Sequence, residues 1–389
     1  MIDPIMPTYA RLPVTFSRGE GAWLWDTQGK RYLDAISGIA VCNLGHAHPT
    51  LARALCEQSQ RLWHTSNLFR IEPQEALAET LTCLSGMDNA FFCNSGAEAN
   101  EAALKIARAY GHLQGIDTPQ VVVAEQSFHG RTLATLSATG NSRVQQGFEP
   151  LLPGFLRVPF GDSNAVAVLE DRSDVVAVLV EPIQGEGGVR MPPSGYLAEL
   201  RRLCDRNGWL LMLDEVQTGI GRTGRWFACQ HEAITPDVMT LAKSLGNGFP
   251  IGACLAKGKA AEVLTAGRHG STFGGNFLGC RVASEVLRII EQEGLIDRSA
   301  RLGDQFKEAL AHRLGRHPQV KNIRGRGLIL AIELDHPCAH LVPAALERGL
   351  LINVTATNVL RLLPPLILEN SQAEQLVDTL VDLIQGKQP

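Results

Sequence analysis

Three features of this sequence have residue types and spacing suited to one piece of chemistry. Lys243 sits between the apolar run Val238–Ala242 and a glycine-rich turn (Gly246, Gly248) that leads into a second run, Ile251–Ala256. A lysine at a buried strand end is held neutral by desolvation, and a neutral amine condenses with an aldehyde to an imine. Asp214 closes the run LLML, 210–213. A carboxylate there is costly to desolvate without a cationic partner, and a protonated pyridine nitrogen is one such partner. Ser95-Gly96 stands directly before the helix-period stretch AEANEAALKIARAY. The first turn of such a helix offers free backbone N–H groups and a positive dipole end to a phosphate, and a glycine lets the ligand approach closely. Singly, two of them have an ordinary explanation: a snorkelling surface lysine and a common serine cap. Together, lysine, aspartate and phosphate-ready helix describe a site for pyridoxal 5'-phosphate.

A competing motif lies close by. Gly219-Ile220-Gly221-Arg222-Thr223-Gly224 matches the G-x-G-x-x-G dinucleotide fingerprint. That fingerprint needs its glycines immediately after a strand and an acidic residue at the end of the next one. Here Asp214-Glu215-Val216-Gln217-Thr218 intervenes, and Asp237 precedes its strand, so a nicotinamide cofactor is not expected. His46-Ala47-His48 is the nearest approach to a metal motif, and its spacing is unlike real zinc sites; no metal is expected.

The elements that must position these groups can be read from apolar periodicity. Residues 22–34, AWLWDTQGKRYLD, form two short strands around an Asp-Thr-Gln-Gly turn. Between about residues 75 and 265, strand-length apolar runs alternate with helix-period segments: Ala90–Cys93, Val121–Ala124, Val175–Val180, Leu210–Leu213, Val238–Leu241 and Ile251–Ala256. That alternation predicts an α/β fold with a mostly parallel sheet buried on both faces. In such sheets ligands bind beyond the carboxyl ends of the strands. Asn94-Ser95-Gly96, Glu181, Asp214 and Lys243 all follow apolar runs, so they are expected to converge on one edge. A helical stretch begins near Cys280, and residues 320–389 read as a strand (Leu328–Leu334), a helix, two extended pieces (Leu350–Val354, Val359–Leu363) and a final helix. The expected division is an N-terminal segment, 1–65, joining a small α+β domain at 281–389, with the large α/β domain at 66–280.

Composition excludes several partners. The chain has 389 residues, 45% apolar and 20% charged, with a net charge of −4. It lacks a block of like charges of the kind that marks a nucleic-acid or membrane-surface arm. Its longest aliphatic run, Val175–Val180, is far short of the roughly 20 residues that span a bilayer. Nine scattered cysteines without a C-x-x-C pair fit reduced thiols. The expectation is a cytoplasmic protein that binds neither nucleic acid nor membrane.

The segments MPTYARLP, LDAISGIAVCNLGHAHP, WHTSNLF, SGAEANEAALKIAR, FHGRTLATLSATG, VEPIQGEGG, LDEVQTGIGRTG, LAKSLGNGFPIGA and STFGGN closely resemble the subgroup III aminotransferases, over essentially the whole chain. The resemblance implies a fold-type I pyridoxal-phosphate enzyme, with a mostly parallel central sheet and a smaller α+β domain built from the two chain ends. It implies a homodimer with shared active sites. The branch it resembles most exchanges an amino group between N2-acetyl-L-ornithine and 2-oxoglutarate, giving N-acetyl-L-glutamate 5-semialdehyde and L-glutamate, in arginine biosynthesis. Succinylornithine, succinyldiaminopimelate, ornithine and γ-aminobutyrate remain alternative amine donors, because a small change in pocket lining is worth only about 1–3 kcal/mol.

Carried onto matching positions, the resemblance makes Lys243 the Schiff-base lysine and proton shuttle. It pairs Asp214 with the pyridine nitrogen and brings Gln217 to the ring hydroxyl. Phe128 and Val216 would sandwich the ring, and Gly96 and Ala97 N–H groups would hold the phosphate. Thr272 of the partner subunit would complete the phosphate site, with Ser271 beside it touching the substrate. Arg131 would grip the far carboxylate of both substrates. Arg361 would bind the near carboxylate of glutamate and otherwise be neutralised by Glu186.

Overall fold

The computed structural model describes residues 4–387. The chain opens with β1 (Phe16–Glu20), β2 (Trp23–Asp26) and β3 (Arg31–Asp34), paired antiparallel in that order. Asp26 closes the expected turn, its Oδ1 accepting the N–H groups of Gln28 and Lys30, both at 2.9 Å. β1 is a strand that the sequence reading does not anticipate; FSRGE is mostly exposed and carries little apolar signal.

The large sheet contains β4 (Asn89–Cys93), β5 (Gln120–Ala124), β6 (Phe155–Val158), β7 (Val175–Val180), β8 (Leu210–Asp214), β9 (Val238–Leu241) and β10 (Gly252–Ala256). Their spatial order is β4-β10-β9-β8-β7-β5-β6. All pairs are parallel except those made by β10, which runs against both neighbours. The link from β9 to β10 is too short for the crossover that a parallel partner needs. All six predicted runs are strands, and the edge strand β6 is added. β7 and β8 are buried along their whole length, as their unbroken apolar runs require. Because β10 reverses twice, β4 points the same way as β7, β8 and β9, and their carboxyl ends share one edge.

The helix Gly96–Leu113 lies across this sheet against β10, β9 and β7. It buries Ala99, Ala102, Ala103, Ile106, Ala107 and Tyr110, one face at helical spacing, and the small side chains let it sit close to the strands. The helical stretch near Cys280 is two helices, Phe277–Gln292 and Leu295–Leu314, broken where Gly294 turns left-handed at φ 61°. A third sheet follows, formed by β11 (Val320–Arg326), β12 (Ile329–Leu334), β14 (Asn353–Thr355) and β15 (Val359–Leu362) in the order β11-β12-β15-β14. β13 (Leu350–Leu351) leaves that region to pair in parallel with β3. One apolar core runs from Leu33 and Leu44 through Val180 and Leu213 to Leu330, Leu362 and Leu380.

The G-x-G-x-x-G segment has a structural task. Arg222 is fully buried, and its Nη1 donates to the carbonyls of Leu328 at 2.9 Å and Pro364 at 2.5 Å, while Nη2 donates to Asn43 Oδ1. Burial lowers its pKa to about 9. A Cβ on Gly224 would stand 2.7 Å from the Cβ of Ala300, so this glycine lets the helix Leu295–Leu314 dock. Among the described residues no helix is long and apolar enough to cross a membrane.

Candidate functional site

Asp214 ends β8 and is 4% exposed. Its Oδ2 accepts hydrogen bonds from Asn100 Nδ2 and His129 Nδ1, each at 2.8 Å, and its Oδ1 accepts Val216 N–H at 3.1 Å. Asn100 is in turn fixed by donating to the His129 carbonyl at 2.8 Å and accepting from Thr240 Oγ1 at 2.7 Å. The ring of His129 is buried, with Nε2 unpartnered among the described residues. Glu181, immediately after β7, accepts Phe128 N–H at 3.0 Å and Gly185 N–H at 3.1 Å. Burial pushes its pKa up to about 7, against the opposing pull of His129.

Lys243 follows β9 in a left-handed backbone conformation, φ 44°, one that costs an L-residue roughly 1–2 kcal/mol. Its neighbour Ser244 donates to the Ala40 carbonyl at 2.8 Å, which anchors the turn. Desolvation lowers the Lys243 pKa, with Glu186 pulling the other way. At β4 the Ser95 side chain caps the helix by accepting Glu98 N–H at 3.2 Å, and Ala99 N–H uses the Ser95 carbonyl at 3.1 Å. The N–H groups of Gly96 and Ala97 precede the first intrahelical bond. A Cβ on Gly96 would stand 2.8 Å from Val216 Cγ1, so only glycine lets the helix start reach the strand end.

These groups enclose a cavity of about 230 Å³ lined by Gly96, Ala97, Phe128, Glu186, Asp214, Val216, Gln217 and Lys243, together with Asn100, His129, Gly130 and Glu181. A wider cavity of about 820 Å³ shares Phe128 and Glu186 with it and adds Arg131, Arg143 and Arg157. Arg131 is exposed there, its guanidinium 5.6 Å from the Phe128 ring centre. Arg361, on β15, is fully buried and donates from Nη1 to Glu186 Oε1 at 2.5 Å and to Gln217 Oε1 at 3.3 Å, and from Nε to Asn353 Oδ1 at 2.9 Å. Burial raises the Glu186 pKa, but Arg361 outweighs it and holds the carboxyl below its ordinary value.

The chain's own cavity does not include Ser271 or Thr272. Ser271 Oγ accepts from Asn94 Nδ2 at 3.1 Å and from Gly274 N–H at 3.0 Å, while Thr272 is exposed on the same loop. Asn100, His129 and Thr240 are functional neighbours that sequence reasoning misses, because only the fold puts them against Asp214. Glu181 stands out in sequence as a charge after an apolar run but carries no role there.

The residues present fit pyridoxal phosphate. Asp214 is a buried carboxylate with three hydrogen-bond donors and, among the described residues, no lysine or arginine bonded to it, so it suits a ring cation as partner. Lys243 and the two helix-start N–H groups border the same space. A family model described as aminotransferase class-III matches residues 5–384. The chain belongs to this family. It is a pyridoxal-phosphate-dependent aminotransferase. Among its relatives, an acetylornithine aminotransferase of Nitrosomonas europaea is 60% identical over 98% of this chain and 97% of the relative. An acetylornithine aminotransferase 1 of Bordetella pertussis is 54% identical over 99% and 98%. Of solved structures, the ornithine aminotransferase of Toxoplasma gondii superposes with a TM-score of 0.95 at 37% identity, covering 98% of this chain and 93% of that one. The acetylornithine aminotransferase of Elizabethkingia anophelis gives 0.89 at 37%, covering 98% and 96%.

Proposed function

We propose that this aminotransferase exchanges an amino group between N2-acetyl-L-ornithine and 2-oxoglutarate, giving N-acetyl-L-glutamate 5-semialdehyde and L-glutamate, as a step of arginine biosynthesis. The observation that carries the reading is the Glu186–Arg361 pair at 2.5 Å beside the cavity that holds Lys243, with Arg131 in the adjoining cavity. The amine donor reaches Lys243 with its carboxylate several bonds away, whereas glutamate brings one carboxylate near and one far. Arg131 serves the far carboxylate in both cases, a planar fork suited to a carboxylate. Arg361 serves the near one only when Glu186 releases it, and the pair otherwise presents no net charge to the acetylated substrate.

When bound, pyridoxal phosphate supplies an aldehyde that takes up the amino group and a ring that accepts electrons from the substrate carbon. Asp214 would keep the ring nitrogen protonated, and its three donors hold its own orientation. Gln217 would meet the ring hydroxyl, Phe128 and Val216 would face the ring, and the Gly96 and Ala97 N–H groups would take the phosphate; all five residues line the cavity. Lys243, its ammonium disfavoured by burial, would hold the cofactor through its amine and, once free, would serve as the base that moves a proton at the substrate carbon.

The proposal includes a cytoplasmic homodimer whose second copy brings Thr272 to the phosphate and Ser271 to the substrate. In support, the loop that carries them is flanked by exposed apolar side chains: Phe273 is 61% exposed and Leu68 87%, the kind of patch that marks an interface. The nine free cysteines suit a reducing compartment.

A substrate panel with the purified enzyme and 2-oxoglutarate tests the reading, comparing N-acetylornithine with ornithine, γ-aminobutyrate and the succinylated amines. The expected result is the highest kcat/KM for N-acetylornithine. A higher value for ornithine would instead align the chain with its Toxoplasma structural neighbour.

A further inference from the structure

The turn that carries Glu186 is held by side chains that the proposed chemistry does not use. Gln184 and Arg190 pair across its base, N–H to carbonyl at 3.1 and 3.0 Å. Within it, buried Val189 has φ 48°, a strained conformation for a β-branched residue that persists only when its surroundings over-determine it. Those surroundings are supplied by Arg324 of β11. Its Nε donates to the Val189 carbonyl at 2.9 Å, its Nη2 to the Gly188 carbonyl, and its Nη1 to Glu333 of β12. Gly188 packs into the same corner, where an added Cβ would lie 3.2 Å from Ala356 and 3.3 Å from Val359. From the far side of the sheet, Thr355 Oγ1 donates to the Glu186 carbonyl.

Arg361 belongs to that same sheet. It lies opposite Ala331 of β12 and Asn353 of β14, and Glu333 lies opposite Val359 two residues before it. The sheet therefore grips both the backbone under Glu186 and the guanidinium that Glu186 neutralises.

We propose that Arg324 is a positioning residue for the Glu186–Arg361 gate: by clamping the carbonyls of Gly188 and Val189 it sets the reach of Glu186 to Arg361, and so the balance between the two half-reactions. The inference rests on the gate reading above. A clamp on the turn raises the fraction of molecules with Arg361 already neutralised. A ligand that needs Arg361 free is weakened in proportion to the free fraction that remains.

Half-reactions of the holoenzyme, each followed by the cofactor spectrum, test this together with calorimetric binding of glutarate, a dicarboxylate with no amino group to react. Arg324→Gln should slow the N-acetylornithine limb about 3- to 10-fold, mainly through weaker substrate binding, leave the glutamate limb intact or improved, and tighten glutarate by a similar factor. Arg324→Lys, which keeps the charge opposite Glu333 but not the fork, should fall between. Thr355→Val, which loosens the turn from the other strand, should shift glutarate binding in the same direction and serves if Arg324→Gln fails to fold. In a Glu186→Ala background, Arg324→Gln should change neither the limb ratio nor glutarate affinity further. Equal loss in both limbs, unchanged glutarate binding, or additive effects in the double variant would overturn the role of Arg324. The gate reading fails separately, if Glu186→Ala alone leaves the limb ratio unchanged.

Discussion

On one side of the cavity Asp214 accepts three hydrogen bonds from groups fixed in the loops of the large sheet and in its overlying helix. On the other, Glu186 and Arg361 hold each other through one contact between two distant chain segments, with Arg361 Nη2 left unpartnered among the described residues. The Glu186 side chain is 34% exposed, whereas that of Asp214 is 5% exposed. The same charge type is thus held in two ways. Asp214 is held by donors of which Asn100 is itself tied to His129 and Thr240, which suits a charge proposed to persist through the whole cycle. Glu186 has a solvent-facing side to move towards and a partner able to accept another carboxylate, which suits a charge that must be exchanged.

The comparison breaks most visibly on the fixed side. Lys243→Ala should lower turnover by on the order of 10⁴-fold, because it removes the group proposed to move the proton. Asp214→Asn should follow at about 10³-fold, with the fold and much of the cofactor affinity kept. Borohydride reduction of the wild-type holoenzyme and peptide mapping should place the label on Lys243 alone. Label on another lysine, or near-normal turnover in Asp214→Asn, refutes the assignment of this side.

On the exchangeable side the effects should be smaller and should diverge between substrates. Glu186→Ala should weaken the N-acetylornithine limb by about 10-fold or more while leaving the glutamate limb intact or improved, since it leaves an unpaired cation facing a substrate without a near carboxylate. Arg361→Ala should do the reverse by about 10²-fold, and Arg131→Ala should damage both limbs. Stopped-flow traces of each half-reaction read the two limbs independently, and a Glu186 variant that slowed both equally would remove the distinction between the sides.

The smallest effect sharpens the comparison through pH. Glu181 has a folded pKa of about 7, above its ordinary 4.5, because it is buried. A raised carboxyl pKa means that the stability tied to the neutral form is complete below about pH 4.5 and is lost as pH rises through about 7, by roughly 3 kcal/mol at most. In cofactor-stripped protein, Glu181→Gln should lose this slope while carrying a constant penalty for the backbone N–H that its amide cannot accept. Parallel pH profiles of melting temperature for the two proteins would show that Glu181 is not the source.

The sequence displayed those parts of the molecule in which burial and chemistry coincide. β7 and β8 are apolar throughout, and the charges that follow them, Glu181 and Asp214, stand out for that reason. Strands at sheet edges were hidden: VKNIRGR of β11 and FSRGE of β1 are half-exposed and polar, so neither periodicity nor an apolar run marks them. Lys243 and Asp214 were legible because a charge after a buried run needs a reason. His129, Asn100 and Arg324 were not, since each has an ordinary place in its own segment and acquires meaning only from the carboxylate or carbonyl opposite it.

The pairing of β3 with β13 also bears on how the chain is made. Lys30 donates to the carbonyl of Glu347, 317 positions away, at 2.8 Å, and Leu33 lies opposite Leu350. During synthesis the early three-stranded sheet must therefore wait, its β3 edge open, until nearly all of the chain has left the ribosome. Contacts this distant in sequence form slowly, and an unpaired strand edge invites wrong partners meanwhile. Arg361 emerges later still, so a nascent chain holds Asp214 and Lys243 long before it holds the gate, and truncated or stalled products would expose both an adhesive edge and an unfinished pocket to the cell's chaperones.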